Sequence, residues 1–533
     1  MSYELDQPFG GAPTWWQSGV IYQIYPRSFQ DSNGDGIGDL NGITSRLDHL
    51  GELGVDAVWL SPIFTSPMAD FGYDVADYCS IDPMFGTLED FDRLLDAAHS
   101  KGLKLILDFV PNHTSNWHPW FIESRSSASS AKRDWYIWRD PKPCGGPPNN
   151  WISEFGGPAW TFDEGSGQYY YHAYLPQQPD LNWRNREVRA AMLDVLRFWL
   201  ARGVDGFRVD AIHHLFEDAR LRDNPVNPGW VKGMSPARRL IRLHTMDQPE
   251  VHDAVREMRR VADEYDQRLL IGEAYLPIDK LMAYYGVNLT GFHLPFNFHL
   301  ISTPWEPAAI AGLIKAYEGA LPPGGWPNWV LGNHDRSRVA TRLGGDQARV
   351  AAMLLLTLRG TPTIYQGEEL GMQDASLAPE DIRDPWEKSV PGLGLGRDPV
   401  RTPIPWSSEV HGGFSAGKPW LPVDVTGTVD RAQQRVDAAS MFSLYRALLR
   451  LRRAEPALAI GSYSAITWSE SVLVYRRQYD SKQVQMALNM SDRWQALPPD
   501  AQNGKIVIST RPNRVLAADS RLAPNEALIQ CVT

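Results

Sequence analysis

Asn185-Arg-Glu-Val188-Arg-Ala-Ala-Met192-Leu-Asp-Val195-Leu196-Arg-Phe-Trp199-Leu-Ala-Arg-Gly203-Val-Asp-Gly206-Phe-Arg208-Val-Asp210 is the stretch that decides the fold. Asn185 suits a helix N-cap, Val188, Met192, Val195, Leu196 and Trp199 form one apolar stripe at helical spacing, and Gly203 suits a helix stop. Three residues later comes a short apolar run that ends on a charged residue. A helix feeding directly into a buried strand is half of a βα unit.

Seven more runs of the same kind flank this one: 20–29, 57–64, 104–110, 268–275, 290–296, 328–335 and 361–368. Apolar along their whole length and separated by helical patterns, they predict parallel strands covered on both faces and, being eight in all, a (β/α)8 TIM barrel. Two interruptions are too long for plain loops. One, rich in Trp, Tyr, Gly and Pro, predicts an inserted subdomain after the third strand, residues 111–180. The other is a loop-rich insert at about 372–430. The barrel is therefore expected over 1–110 and 181–457. From 458 to 533 the pattern turns to strict alternation, as in Val472-Leu-Val-Tyr, which predicts a C-terminal antiparallel β-sandwich domain.

Composition narrows the function. A net charge of −11 without basic patches disfavours nucleic acid as a partner. The three cysteines form no CxxC pair, so neither a disulfide framework nor a zinc site is expected. No apolar run spans a bilayer and the first residues lack a signal pattern, which predicts a cytoplasmic protein. Gly34-Asp-Gly-Ile-Gly38 lacks phosphate-loop spacing, so no organic cofactor is expected. Twenty Trp, twenty Tyr and eighteen Phe offer flat faces suited to sugar rings as well as to cores.

In such a barrel, chemistry belongs at the C-terminal strand ends. There the third strand closes on Asp108-Phe-Val-Pro-Asn112-His113, the fourth on Arg208-Val-Asp210, the fifth on Gly-Glu273 and the seventh on Asn333-His334-Asp335. A pair of carboxyl groups about 5 Å apart is the apparatus of a retaining glycosidase. Arg208, two residues before Asp210, points to the same side of its strand and is expected to hold that carboxylate ionised. Glu273 has no such partner in its local sequence. His213 and His214 lack the spacing of helical metal ligands and read as lining or packing residues.

These four strand-end motifs resemble the signature regions of glycoside hydrolase family 13, the α-amylase family. Gln178-Pro-Asp-Leu-Asn182 and Gly360-Thr-Pro-Thr-Ile-Tyr-Gln-Gly-Glu-Glu369 resemble the additional regions of its oligo-1,6-glucosidase and α-glucosidase branch. The resemblance implies Asp210 as nucleophile, Glu273 as acid and base, and Asp335 as the carboxylate that grips the ring hydroxyls. It implies His113 and His334 as hydroxyl partners, Tyr73 as a stacking platform, and a pair, Asp74 with Arg401, closing the far side of the glucose pocket. Phe155 and Gln178 are expected at the pocket, Phe155 from the insert near its mouth. Ala211, following the nucleophile, leans the forecast towards α-1,4 linkages. The implied activity is an exo-acting α-glucosidase on short α-glucosides such as maltose, with transfer to sugar or alcohol acceptors, in a monomer or homodimer. Oligo-1,6-glucosidase, sucrose hydrolase and trehalose synthase are alternatives, and a non-catalytic ancillary protein is a remote one.

One acidic stretch stands apart. Asp31, Asn33, Asp35, Ile37 and Asp39 copy alternate positions of an EF-hand loop, with Gly36 at the sharp turn, but position 12 is Gly42 and a strand, not a helix, precedes it. It is no sensor hand. The resemblance implies a structural calcium or magnesium ion here, held by the four polar side chains and the Ile37 carbonyl.

Overall fold

The computed structural model describes residues 12–424, 430–502, 504–512, 514 and 521–532. At its centre lie eight parallel strands: β1 Ile21–Ile24, β2 Ala57–Leu60, β3 Lys104–Phe109, β4 Gly206–Val209, β5 Leu269–Gly272, β6 Leu294–Pro295, β7 Asn328–Val330 and β8 Thr361–Tyr365. Each lies inside one of the apolar runs and is shorter than it. The order is β6-β5-β4-β3-β2-β1-β8-β7. The strands thus follow the chain around a ring whose seam falls between β6 and β7, a nearly closed TIM barrel.

The opening stretch folds as its pattern requires. Asn185 Oδ1 accepts the Glu187 N–H and caps the helix Arg186–Arg202, and Gly203 ends that helix with φ +109°. The apolar stripe is buried.

Register then sets the site. Asp108 on β3 lies opposite Arg208 on β4, and Val209 lies opposite Gly272 on β5. The ladder runs one step further, since Asp210 N–H donates to Phe109 O at 2.8 Å and Glu273 N–H donates to Val209 O at 2.9 Å. Asp210 and Glu273 are therefore lateral neighbours, one strand spacing of about 4.8 Å apart along the sheet. Gly272 permits the packing behind them: a Cβ there would meet the Phe292 ring at 2.3 Å.

Between β3 and β4 the chain forms a three-stranded antiparallel sheet, in the order Trp138–Arg139, Gln168–Tyr171, Trp160–Asp163. After the barrel comes an antiparallel sheet of five strands in the order Ser462–Trp468, Val472–Tyr479, Lys482–Asn489, Ala527–Val532, Lys505–Ser509. Its Tyr463, Ile466 and Tyr475 share one apolar core with barrel residues such as Leu354 and Leu448. No described helix is long and apolar enough to cross a membrane.

Two buried arginines staple this joint. Arg452 donates to the carbonyls of Leu356, Leu358, Gly360, Leu458 and Ala459, and Arg477 donates to those of Thr357 and Gly461. Burial pushes both guanidinium groups down, Arg452 to about 9 and Arg477 to about 10. Replacing Arg452 with Met strands five buried carbonyls, so Arg452→Met is expected to cost about 3 kcal/mol, read as a fall in the urea midpoint.

Candidate active site

The strand ends surround a cavity of about 460 Å³ whose wall includes Asp210, Glu273, Asp335, Tyr73, His113 and His334. Behind it sits Arg208, 1% exposed. Its Nη1 lies 2.7 Å from Asp108 Oδ1 and 2.7 Å from Asp210 Oδ1, and its Nη2 lies 2.7 Å from Glu273 Oε1. Arg208 does stand beside Asp210 as the two-residue spacing predicts, but it also supplies the partner that Glu273 lacks in its local sequence. The second contact comes from strand register, which spacing within one strand does not reveal.

Three carboxyl groups around one guanidinium cannot all be charged cheaply in a buried place. Burial raises Asp210 well above the usual carboxylate range; Arg208 opposes the shift while Glu273 and Asp108 add to it. Burial likewise carries Asp108 to about 6 against the pull of Arg208. Arg208 does stand against Asp210 and favours its charged form, as expected, but burial and the neighbouring carboxyl groups work against it.

Asp335 is the counterweight. Burial opposes its charge, but Arg401 and Arg397, beside the His334 ring, hold it far below the usual range. Arg401 Nη2 lies 2.8 Å from Asp335 Oδ1, and Arg397 Nη1 lies 3.5 Å from the same oxygen.

The predicted Asp74–Arg401 pair does not form. Asp74 is fully buried and accepts from Ser66 Oγ and from the N–H groups of Ala69 and Asp70, each at 2.9 Å. It pins the turn that carries Asp70 and Tyr73. The ion cluster at the cavity wall is Asp70–Arg397–Asp384 instead, with Arg397 Nη2 at 2.5 Å from Asp70 and 2.7 Å from Asp384. The sequence offers two acids four apart and two arginines four apart, and a motif match has no means of choosing between them. Asp384 belongs to a long loop with no motif and gave no signal.

A hydrogen-bonded chain runs along the wall. The Gln23 amide donates to His334 Nδ1 at 2.7 Å, which leaves the proton of the neutral ring on Nε2, 2.7 Å from the Tyr73 hydroxyl. That hydroxyl donates to Asp108 Oδ2 at 3.1 Å. Tyr73 thus ties His334 to the Arg208 cluster. Burial keeps both histidines neutral, with His113 pushed down to about 4 and His334 also well below its ordinary value. Gln178 lies 3.1 Å from His113 Nε2, and Phe155 packs against Tyr174 and Trp386. His213 and His214 line the cavity as expected. Ala211 is buried and its methyl is not part of the wall.

The loop 31–39 lies apart from this cavity. Asp31 accepts from the N–H groups of Asn33, Gly34 and Gly36 and from Ser415 Oγ. Asp35 accepts from Ile37, and Asp39 accepts from Ser32 and Gly42, capping the helix Leu40–Ser45. Backbone amides therefore compensate much of the charge that crowding would otherwise leave repelling. The donors are all oxygens, the set a hard divalent cation takes, and Gly36 makes the turn with φ +91°. Among the described residues no three His, Cys, Asp or Glu side chains are arranged to hold a metal ion.

A barrel with paired carboxyl groups at adjacent strand ends, a third opposite and an aromatic wall belongs to the glycoside hydrolases. Comparison makes this specific: residues 23–461 match the alpha-amylase family, catalytic domain, and the chain belongs to that family. It is 45% identical to a probable alpha-glucosidase of Rhizobium meliloti (strain 1021), covering 90% of each chain. It is 38% identical to an oligo-1,6-glucosidase of Heyndrickxia coagulans, covering 93% of this chain and 95% of that one. Among solved structures it resembles the alpha-glucosyl transfer enzyme XgtA, with 42% identity, a TM-score of 0.92, and coverage of 98% of this chain and 100% of that one.

Two substitutions separate the real wall from the predicted one. Arg397→Met leaves buried Asp70 and Asp384 without their cation and is expected to cost about 3–5 kcal/mol and to raise KM for an α-glucoside. Asp74→Asn keeps one acceptor for the turn and is expected to cost about 1 kcal/mol with a smaller change in KM. Urea denaturation and steady-state kinetics on the pair check the assignment.

Proposed function

We propose that the protein is an exo-acting, retaining α-glucosidase that releases terminal glucose from short, chiefly α-1,4-linked substrates such as maltose and transfers some of it to acceptor hydroxyls. The observation that carries this reading is the lateral placement of Asp210 and Glu273 on one guanidinium. A shared guanidinium across neighbouring strands suits the spacing of about 5 Å that retention needs.

In the mechanism, Asp210 attacks the anomeric carbon while Glu273 gives its proton to the departing oxygen. For this step Glu273 must carry a proton and Asp210 must be charged, and Arg208 lies against the Asp210 carboxylate to stabilise that charge. Glu273 next takes a proton from water or an acceptor hydroxyl, which displaces Asp210 and restores the starting state. Asp335, held ionised by Arg401 and Arg397, is placed to grip ring hydroxyls and to favour the oxocarbenium-like transition state. Neutral His113 and His334 line the cavity and are the proposed partners of sugar hydroxyls. The Asp70–Arg397–Asp384 wall supports action on a chain end, because it occupies the side through which a longer chain would continue.

The loop 31–39 is, in the same proposal, a calcium or magnesium site using Asp31, Asn33, Asp35, Asp39 and the Ile37 carbonyl. Its role is to stiffen the connection after β1, away from the reacting atoms. The oligo-1,6-glucosidase relative supports α-1,6 cleavage as the second reading.

Incubation with maltose, isomaltose, sucrose and trehalose, followed by product analysis, is expected to give most glucose from maltose; none from maltose overturns the reading. Asp210→Asn should lower kcat by about 10⁴-fold or more, on the scale of losing a catalytic nucleophile, while far-UV circular dichroism stays native. Removing divalent ions with a chelator is expected to lower the melting temperature; an unchanged melt with no metal detected by elemental analysis would remove the ion from the proposal.

A further inference from the structure

Ala211 follows Asp210 with a left-handed backbone, φ +46° and ψ +31°. Residues with a side chain avoid this region unless the surroundings impose it, and such outliers gather at functional sites. Here the surroundings are the ends of β4 and β5. In a continuing parallel ladder the 211 N–H would be spent on the main chain of β5. The kink sends it to a side chain instead, and it donates to Glu273 Oε2 at 2.9 Å. The other oxygen, Oε1, receives Arg208 Nη2 at 2.7 Å. Arg208 and Ala211 therefore bracket Asp210 on one strand end and occupy both oxygens of the neighbouring carboxyl group. A single segment at the end of β4, residues 208–211, holds the orientation of both reacting carboxyl groups. The Ala211 methyl is buried and outside the cavity wall.

We propose that Ala211 is a positioning residue: its left-handed backbone aims an N–H at Glu273, and the residue at 211 governs the reaction through the reach of that carboxyl group. The inference rests on Glu273 being the proton donor of the proposed mechanism. It has a consequence that a merely structural role lacks. Misplacing the donor should slow substrates whose leaving oxygen needs a proton and spare those whose leaving group departs without one. The kcat/KM values for maltose and for 4-nitrophenyl α-glucoside report that difference, since both cover steps up to formation of the glycosyl-enzyme.

Three replacements test it. Ala211→Val puts a β-branched residue where the backbone is left-handed and pushes the N–H off Glu273. Lactic acid at 211 turns the 210–211 amide into an ester and deletes the N–H alone. Ala211→Gly keeps the N–H in a conformation that glycine adopts freely. The ratio of maltose to nitrophenyl kcat/KM is expected to fall about tenfold or more in the Val and ester forms, the scale of one hydrogen bond to a charged group. It should stay within about threefold of the parent in the Gly form. Nitrophenyl turnover also reports folding, and if the Val form is unfolded the ester and Gly forms decide. An unchanged ratio in the ester form overturns the inference. Glu273→Gln separates the two levels: if it still cleaves maltose, the assignment of the proton donor fails, and if it does not while the ester ratio is unchanged, only the role of Ala211 fails.

Discussion

A single buried guanidinium organises the active end of the barrel. Arg208 is held between β3 and β5 by register, and Asp108, Asp210 and Glu273 all reach it. Burying an arginine is costly unless its donors are met, and burying three carboxyl groups is costlier still. Each makes the other tolerable, but with three carboxyl groups to one guanidinium the balance is short by charge, and burial raises Asp108 and Asp210 above the usual carboxylate range.

The geometry rests on the sheet. Side chains two apart on one strand share a face, and neighbours on adjacent strands lie one spacing apart. Those two rules bring Arg208 to Asp210 and Asp210 to Glu273. A loop would not hold three carboxyl groups within reach of one cation to a few tenths of an ångström. The stapled joint at Arg452 and the shared core with the C-terminal sheet add rigidity to the β8 side of the same ring.

Much of this was legible in the sequence because it is local. Strand and helix periods, the Asn185 cap, the Gly203 stop and the polar strand-end motifs each occupy a short window, and all eight barrel strands fall inside the runs they predict. What was not legible depends on contacts between distant segments. Asp70 and Arg397 are 327 residues apart, and nothing local distinguishes them from Asp74 and Arg401. Folding makes the choice: Asp74 is consumed by its own turn, through Ser66, Ala69 and Asp70, and Arg401 is consumed by Asp335 and the His334 carbonyl. The same holds for the sharing of Arg208 and for the conformation of Ala211. In the loop 31–39 what side-chain spacing does not reveal is the backbone: the amides of Asn33, Gly34, Gly36 and Ile37 face the oxygens of Asp31 and Asp35.

The charge of the whole cluster also says what kind of molecule it suits. Six carboxyl groups, Asp70, Asp108, Asp210, Glu273, Asp335 and Asp384, face three guanidinium groups, Arg208, Arg397 and Arg401. Arg238, Arg242 and Arg336, with Glu154, line the same cavity and bring acids and arginines nearly level. A neutral sugar that becomes positive only as its glycosidic bond breaks gains most from the field of carboxylates placed beside the reacting carbon, because that gain is made at the transition state, which is where binding accelerates a reaction. The placement of the acids, not a net excess of them, is therefore the source of rate. The arginines that hold Asp335 charged set how much of that field the reacting carbon feels.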